Sequence, residues 1–299
     1  MDGSPAVGAW RGGPVGTVAE GVLAPNPGPL TLDGTNTWVL AAPGATQAVV
    51  VDPGPDDEGH LHAVLAAARA RGTRVTVVLL THGHADHSAG ARRLHELTGA
   101  PVRAADPGLV LGDRGLPAGL PPGLPPGPLR ADAVAAAGLD LEVIATPGHT
   151  GDSVSLVVRA SGDPAEGALV LTGDTVLGRG SSVVAHPDGR LGDYLDSLRL
   201  LERLTVDRQV HALLPGHGPV LSAPGTPPVE AVRGYLAHRR QRLDQVRAAL
   251  ADGATTPADV VRRVYADVPR ELWPAAELSV RAQLDHLREE PRQAADPAG

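Results

Sequence analysis

An α/β layer structure followed by a helical C-terminal unit is what this 299-residue sequence predicts. Three observations carry that expectation. Between residues 37 and 80 a strand pair, an amphipathic helix and a further apolar strand follow one another. The strands after residue 139 each end at or near a polar cluster. Beyond Pro228 only helical periodicity remains.

The elements follow in chain order. "TWVLAAPGATQAVVVD" (37–52) reads as two strands around the Pro43-Gly44 turn, the second ending at Asp52. From His60 to Ala70 the spacing of Leu61, Val64, Leu65 and Ala68 is helical, and Gly72 stops it. Val77 to Leu80 form an apolar, β-branched-rich run that predicts a strand buried on both faces. A second helix is expected over Ala91 to Leu97, followed by a Pro- and Gly-dense stretch (107–130) that reads as a long surface loop. Strands resume within 139–150, 153–158 and 167–175. A helix over Asp193 to Leu204 puts Tyr194, Leu198 and Leu201 on one face, and "VHALLPGHG" (210–218) gives a last strand and turn. Thr256, Pro257 and Asp259 mark a helix start, and Val280, Leu284 and Leu287 stripe the final helix. A domain boundary is placed in "TPPV" (226–229), giving a first domain over 1–228 and a helical domain over 229–299 with a disordered tail.

Composition narrows the function classes. With no Phe, three Trp and three Tyr, the core must be built of Leu, Val and Ala, and every one of the 26 basic residues is Arg. The formal net charge of -8 gives no long-range attraction to nucleic acid or to an anionic membrane, so any basic patch must be local. Without Cys there is neither a disulfide nor a thiolate metal site, and a metal would be held by His and carboxylate. No signal-peptide pattern and no membrane-spanning apolar run is present, which predicts a soluble cytoplasmic protein with no membrane partner.

The motif that stands out is "VVLLTHGHADHSAG" (77–90), where an apolar strand runs into His82, His84, Asp86 and His87. Three further residues follow strands in the same manner: His149 in "TPGHT", Asp174 in "TGDT" and His217 in "PGHG". Five imidazoles and two carboxylates suffice for two metal ions with coordination positions left open. Two ions sharing a water can supply hydroxide at neutral pH and polarise a carbonyl or phosphoryl oxygen, with Asp86 placed to accept the proton. The remaining histidines (60, 62, 95, 186, 211, 238, 286) show no such pattern and read as surface or packing residues.

The ordered series Asp52, "THGHADH", "PGHT", "TGD" and "PGHG" resembles the metallo-β-lactamase fold superfamily, whose fold is an αββα sandwich with metals at one edge. The resemblance implies one zinc at His82, His84 and His149 and another at Asp86, His87 and His217, with Asp174 bridging. Asp52 would orient the ligands from behind. A histidine at position 84, where flavodiiron relatives carry a carboxylate, favours zinc over a redox iron pair, although the donor set also admits manganese or iron. The implied enzyme is a dinuclear zinc hydrolase using a hydroxide shared by the ions, with Asp86 and Asp174 as its catalytic carboxylates.

Outside the metal motifs, "NPGPLTLDGTNTWVL" (26–40), "GRGSSVV" (178–184), "YLAHRRQRLDQV" (235–246) and the helical tail resemble the β-lactamase-like protein 2 group. That implies endonucleolytic cleavage of single-stranded RNA and a small winged-helix-like C-terminal domain. Two departures stand out: Ala89 replaces the second glycine usual after the histidine motif, and "EEPRQAADPAG" replaces the wing, leaving a degenerate winged helix. Candidate substrate contacts are Asn36, Trp38, Arg179, Ser181 and Ser182 near the metals, and Arg239, Arg240 and Arg242 as a phosphate-binding patch. Six large aromatics in the whole chain offer little base stacking. The alternatives are a thioester hydrolase resembling glyoxalase II, acting on a small thioester, and a metal-dependent binding or regulatory module with little turnover.

Overall fold

Period-two alternation along the strands divides the protein into layers. The structure, a computed structural model, describes residues 10–112, 127–128, 134, 136–162 and 167–295. One sheet has the order β1 (Gly13–Val15), β2 (Ala19–Leu23), β3 (Asn36–Leu40), β4 (Gln47–Val51), β5 (Arg74–Leu79) and β6 (Val102–Arg103). The second runs β12 (Leu221–Ser222), β11 (Val210–Pro215), β10 (Ala168–Gly173), β9 (Val154–Ala160), β8 (Leu139–Ala145) and β7 (Gly127–Pro128). Trp38, Leu40, Val49, Val51, Val77 and Leu79 point from the first sheet to a shared core that meets Leu141, Leu156, Val158, Leu169, Leu171 and Leu214 of the second.

The alternate residues face outward onto helices. Val39, Val50 and Val78 pack with Leu61 and Val64 of α1 (Glu58–Ala70) and Leu94 of α3 (Gly90–Thr98); between these helices lies the single turn of α2 (Ala85–Ser88). Ile144, Val157, Val170 and Leu213 pack with Tyr194, Leu198 and Leu201 of α4 (Leu191–Asp207) and Val232 and Leu236 of α5 (Pro228–Ala251). The result is the αββα sandwich, with Leu, Val and Ala supplying nearly all of the packing as the composition required.

After β12 the described residues contain only helices: α5, α6 (Pro257–Val264), a 3-10 turn (Arg270–Leu272) and α7 (Trp273–Ala295). Their small core joins Val246, Ala249, Val260, Val261, Val264, Ala276 and Val280. Thr256 caps α6 in a reciprocal box with Asp259. The apolar cluster beneath α4 extends without a break through the first half of α5 and to Ala282 of α7, so the helical unit and the sandwich share packing across residue 228. α7 continues to Ala295, into the stretch read from the sequence as tail, and 296–299 lie outside the described residues. So does most of the Pro- and Gly-rich stretch after 112, apart from Gly127–Pro128, which adds an edge strand to β8. No helix is long and apolar enough to cross a membrane among the described residues.

Candidate metal centre

Strand direction brings the motifs together. β4 and β5 are parallel, so Asp52 and the His82–His87 turn leave the first sheet at one end. β8 and β10 are both antiparallel to β9, and β10 is parallel to β11, so His149, Asp174 and His217 also leave at a common end. Backbone bonds lace the two ends together: Val154 N donates to Thr81 O at 2.8 Å, and Asn36 N to Gly216 O at 2.7 Å. A Cβ on Gly216 would stand 2.5 Å from Asp174 Oδ1 and 2.6 Å from His87 Cε1, so the close approach of these two side chains requires glycine there.

Each buried imidazole of this cluster has its Nδ1 proton assigned by an acceptor. His87 Nδ1 donates to Asp52 Oδ2 at 2.9 Å, His149 Nδ1 to Val183 O at 2.7 Å, and His217 Nδ1 to Gly34 O at 3.1 Å. Thr81 Oγ1 donates to Asp52 Oδ2 at 2.6 Å and therefore accepts from His82 Nδ1 at 3.0 Å. All four Nε2 lone pairs are thus left to face the centre. There His82 Nε2 and His149 Nε2 lie 3.1 and 3.0 Å from His84 Nδ1, and His87 Nε2 lies 3.2 Å from His217 Nε2. Lone pairs this close repel unless a proton or a cation stands among them.

The carboxylates complete two donor groups. Asp86 Oδ2 is 3.2 Å from His217 Nε2 and 3.6 Å from His87 Nε2. Asp174 lies between the groups, with Oδ1 3.4 Å from His87 Nε2 and Oδ2 3.4 Å from His217 Nε2 and 3.7 Å from His149 Nε2. Its Oδ1, buried, has no hydrogen-bond partner. The ligand atoms of His82, His84 and His149 lie within 4.8 Å of one another, as do those of Asp86, His87 and His217. Asp52, His82 and His87 form a third such group, but the Asp52 carboxylate is already taken up by Thr81 and the His87 Nδ1 proton.

Protonation follows from burial and charge. Burial holds the imidazoles of His82, well below its ordinary value, and His149 neutral, which preserves their lone pairs. Burial would also lower His217 and His87, but Asp174 and its neighbours outweigh it, raising His87 and pushing His217 up to about 10. Asp174 is held well below the carboxylate range, its burial overcome by His87 and His217. The pair of carboxylates demands positive charge, and the free imidazole nitrogens fit a cation better than a proton.

Asp52 stands where the sequence put it. Its φ of 50° is left-handed, its carbonyl accepts from Thr37 Oγ1 at 2.6 Å, and its carboxylate fixes both the Thr81 turn and the His87 ring. Several predicted substrate contacts are corrected. Asn36 is fully buried, donating to Pro215 O and Gly218 O at 3.0 and 2.9 Å and accepting from Trp10 Nε1 at 2.7 Å, so it ties the His217 turn to the first sheet. Trp38 is a core residue whose Nε1 donates to Pro215 O at 3.2 Å. Arg179 is paired with Asp33, Ser181 is exposed, and buried Ser182 touches His149 Nδ1 at 3.2 Å.

The basic patch is corrected as well. Arg239 lies inside the protein, donating to Ser182 O beneath the Tyr194 ring. Arg242 donates to Val264 O at 2.6 Å with its guanidinium carbon 4.7 Å from the Tyr265 ring centroid, and Arg240 alone of the three is exposed. Helix rotation is the reason: Arg239 is four residues on from buried Tyr235 and falls on the same face. Sequence reasoning overlooked Thr81, although a hydroxyl directly before the first motif histidine was a usable signal. It also overlooked the carbonyls of Gly34 and Val183, for which side-chain identity gives none.

An αββα sandwich with two imidazole–carboxylate groups where its sheets meet defines a metallo-hydrolase. Residues 30–217 match the Metallo-beta-lactamase superfamily and 256–294 the Beta-lactamase associated winged helix domain. The chain belongs to the metallo-beta-lactamase superfamily. It is 30% identical to a Beta-lactamase-like protein 2 homolog of Drosophila melanogaster, over 90% of this chain and 87% of that one. It is 28% identical to an atrochrysone carboxyl ACP thioesterase of Passalora fulva, over 82% of this chain and 67% of that one. A beta-lactamase domain protein from Burkholderia ambifaria shares the fold with a TM-score of 0.68 at 21% identity, covering 96% of this chain and 91% of that one.

Proposed function

We propose that the protein hydrolyses a thioester whose acyl part is not polyanionic, using two zinc ions held by His82, His84 and His149 and by Asp86, His87 and His217, with Asp174 between them. Imidazole and carboxylate donors suit zinc and equally admit manganese or iron. Divalent cations bound there supply a nucleophile from water near neutral pH and polarise the attacked carbonyl. The chain's own residues do the rest. Asp86, the more exposed of the two carboxylates, takes the proton of the attacking water, and Thr35 Oγ1, 3.4 Å from its Oδ2, steadies it. Asp52 keeps the His87 ring in one tautomer, and buried Asp174 spans the two halves of the site.

The observation that carries the substrate class is a groove of about 530 Å³ beside His84. Asp106, Asp152 and Asp188 line it together with Pro147 and Val154, and no arginine is among its described lining residues. Three carboxylates thus share one groove with no described arginine to offset them, and burial together with the neighbouring Asp188 and Asp106 charges raises the Asp152 carboxyl. A phosphodiester backbone entering it would be repelled, whereas a neutral thioester arm would not. The inward turn of Arg239 and Arg242 removes the phosphate track that an RNA substrate was expected to use. A relative spanning most of this chain is named a thioesterase, which supports the same reading.

The test offers zinc-reconstituted protein a neutral S-acyl-N-acetylcysteamine and, in parallel, a single-stranded RNA at low salt. Thiol release should exceed that of chelator-treated protein at least about tenfold, with the RNA intact. Cleaved RNA without thiol release would replace this proposal with a ribonuclease.

A further inference from the structure

The loop from Asp174 to Val184 carries one candidate ligand and supplies the acceptor that orients another, yet it has no regular secondary structure of its own. The helices α4 and α5 hold it at three points. Tyr194 Oη of α4 donates to Thr175 O at 2.6 Å. Leu177 N donates to Tyr235 Oη of α5 at 2.9 Å. Arg239, one helical turn further along α5, donates to Ser182 O. The residue after that carbonyl, Val183, fixes the His149 ring through its own oxygen, 2.7 Å from Nδ1. Gly178 N also donates to His217 O at 2.9 Å, so the loop supports the turn bearing a third ligand.

Arg239 is the unusual member. It is 5% exposed, its guanidinium carbon is 4.9 Å from the Tyr194 ring centroid, its Nε has no partner, and no carboxylate among the described residues pairs with it. A buried cation with so few partners is costly, and leucine or methionine would fill a packing position on this helix face without that cost. What those residues cannot do is place a cation over the Tyr194 ring and donate to the loop at once. Tyr194 is itself fixed by the Thr175 carbonyl and lies against Gly148, where a Cβ would stand 2.3 Å from Tyr194 Cα. Arg239 therefore locks a closed circuit that passes from α5 through Ser182 and Val183 to His149, and through Tyr194 to Thr175 beside Asp174.

We propose that Arg239 is a positioning residue for the metal centre: by holding the Ser182 carbonyl it sets the His149 ring, making occupancy of the His82–His84–His149 position depend on this one side chain of α5. This rests on the metal reading above. In Arg239→Met an unbranched apolar stem is kept and both the donor and the flat cation are lost. Cobalt(II) affinity at the His149 position should fall about 10–100-fold, with a changed ligand-field spectrum for that ion alone. Arg239→Lys, which restores a donor without the planar stack, should recover part of the loss. Val261→Ala, in the helical unit's own core and away from the loop, should destabilise that unit while leaving cobalt affinity and spectrum as in the wild type.

Wild-type cobalt affinity and spectrum in folded Arg239→Met would overturn the proposal, as would an equal affinity loss in Val261→Ala. If wild-type protein binds no cobalt at all, the metal reading has failed on its own. Arg239 is then judged by amide hydrogen exchange of residues 175–184 in metal-free protein, where the methionine variant should exchange faster and unchanged protection would end the assignment.

Discussion

Gly216 shows how a residue without a side chain shapes the chemistry. It sits in "PGHG" immediately before His217, and its missing Cβ is the space in which Asp174 Oδ1 and the His87 ring meet. Gly216→Ala would place a methyl within 2.6 Å of both, and one of them must withdraw. Overpacking of this kind costs about 1–3 kcal/mol. The expected outcome is a folded protein whose zinc content, measured by elemental analysis, drops from near two ions per chain to one or fewer; two ions in the variant would show that the pair does not need this approach. The candidate ligands were legible in the sequence because each lies within eight residues of an apolar strand's end, and strand ends of one direction share an edge. Asn36 and Trp38 were not, because residue type alone does not say which way a strand side chain faces, and both turn toward the carbonyl of Pro215.

At the scale of elements, α5 and α6 mark the same boundary between what periodicity shows and what it hides. α6 was readable to the residue: Thr256 accepts from Asp259 N at 3.1 Å while Asp259 reaches back to Thr256 N at 2.9 Å. Thr256→Ala should destabilise the helical unit by about 1 kcal/mol, measured by urea unfolding. Hydrogen bonds from the Thr256 side chain and from the Thr255 and Thr256 backbone hold the Asp259 carboxyl below its ordinary value. A carboxyl depressed in the folded state stabilises above its unfolded pKa of about 4, and that contribution fades as pH falls toward the folded value. The stability gap between wild type and Asp259→Asn should hence be constant above about pH 5 and shrink below about pH 4; a gap that widens on acidification would contradict the box. In α5, by contrast, "HRRQR" looked like a surface patch because its arginines are adjacent in sequence. The face of Val232, Tyr235, Leu236, Leu243 and Val246 passes through Arg239, and that spacing was the signal that the patch is split. The short strands β1, β2 and β12 carried too little alternation to be read at all, and pairing with longer neighbours is what forms them.

Across the whole molecule, the two donor groups join what the hydrophobic core only presses together. His82 and His84 come from the first sheet and His149 from the second; Asp86 and His87 come from the first and His217 from the second. Any ion bound by either group is therefore a bridge between sheets, and in the unfolded chain its ligands are separated by more than sixty residues. Binding that favours the folded state adds stability by mass action, about 2.7 kcal/mol for each ion at a free concentration one hundred times Kd. For a chain of this size that corresponds to a rise in Tm of roughly 4 °C per ion. Stripping the protein with a chelator should thus lower Tm by an amount that grows with the free zinc of the comparison sample. His217→Ala should lose only the share due to one ion, and combining it with His149→Ala should remove nearly all of the zinc dependence. A Tm that is the same with and without zinc would mean that the two sheets carry their histidines to a common edge without a cation to join them.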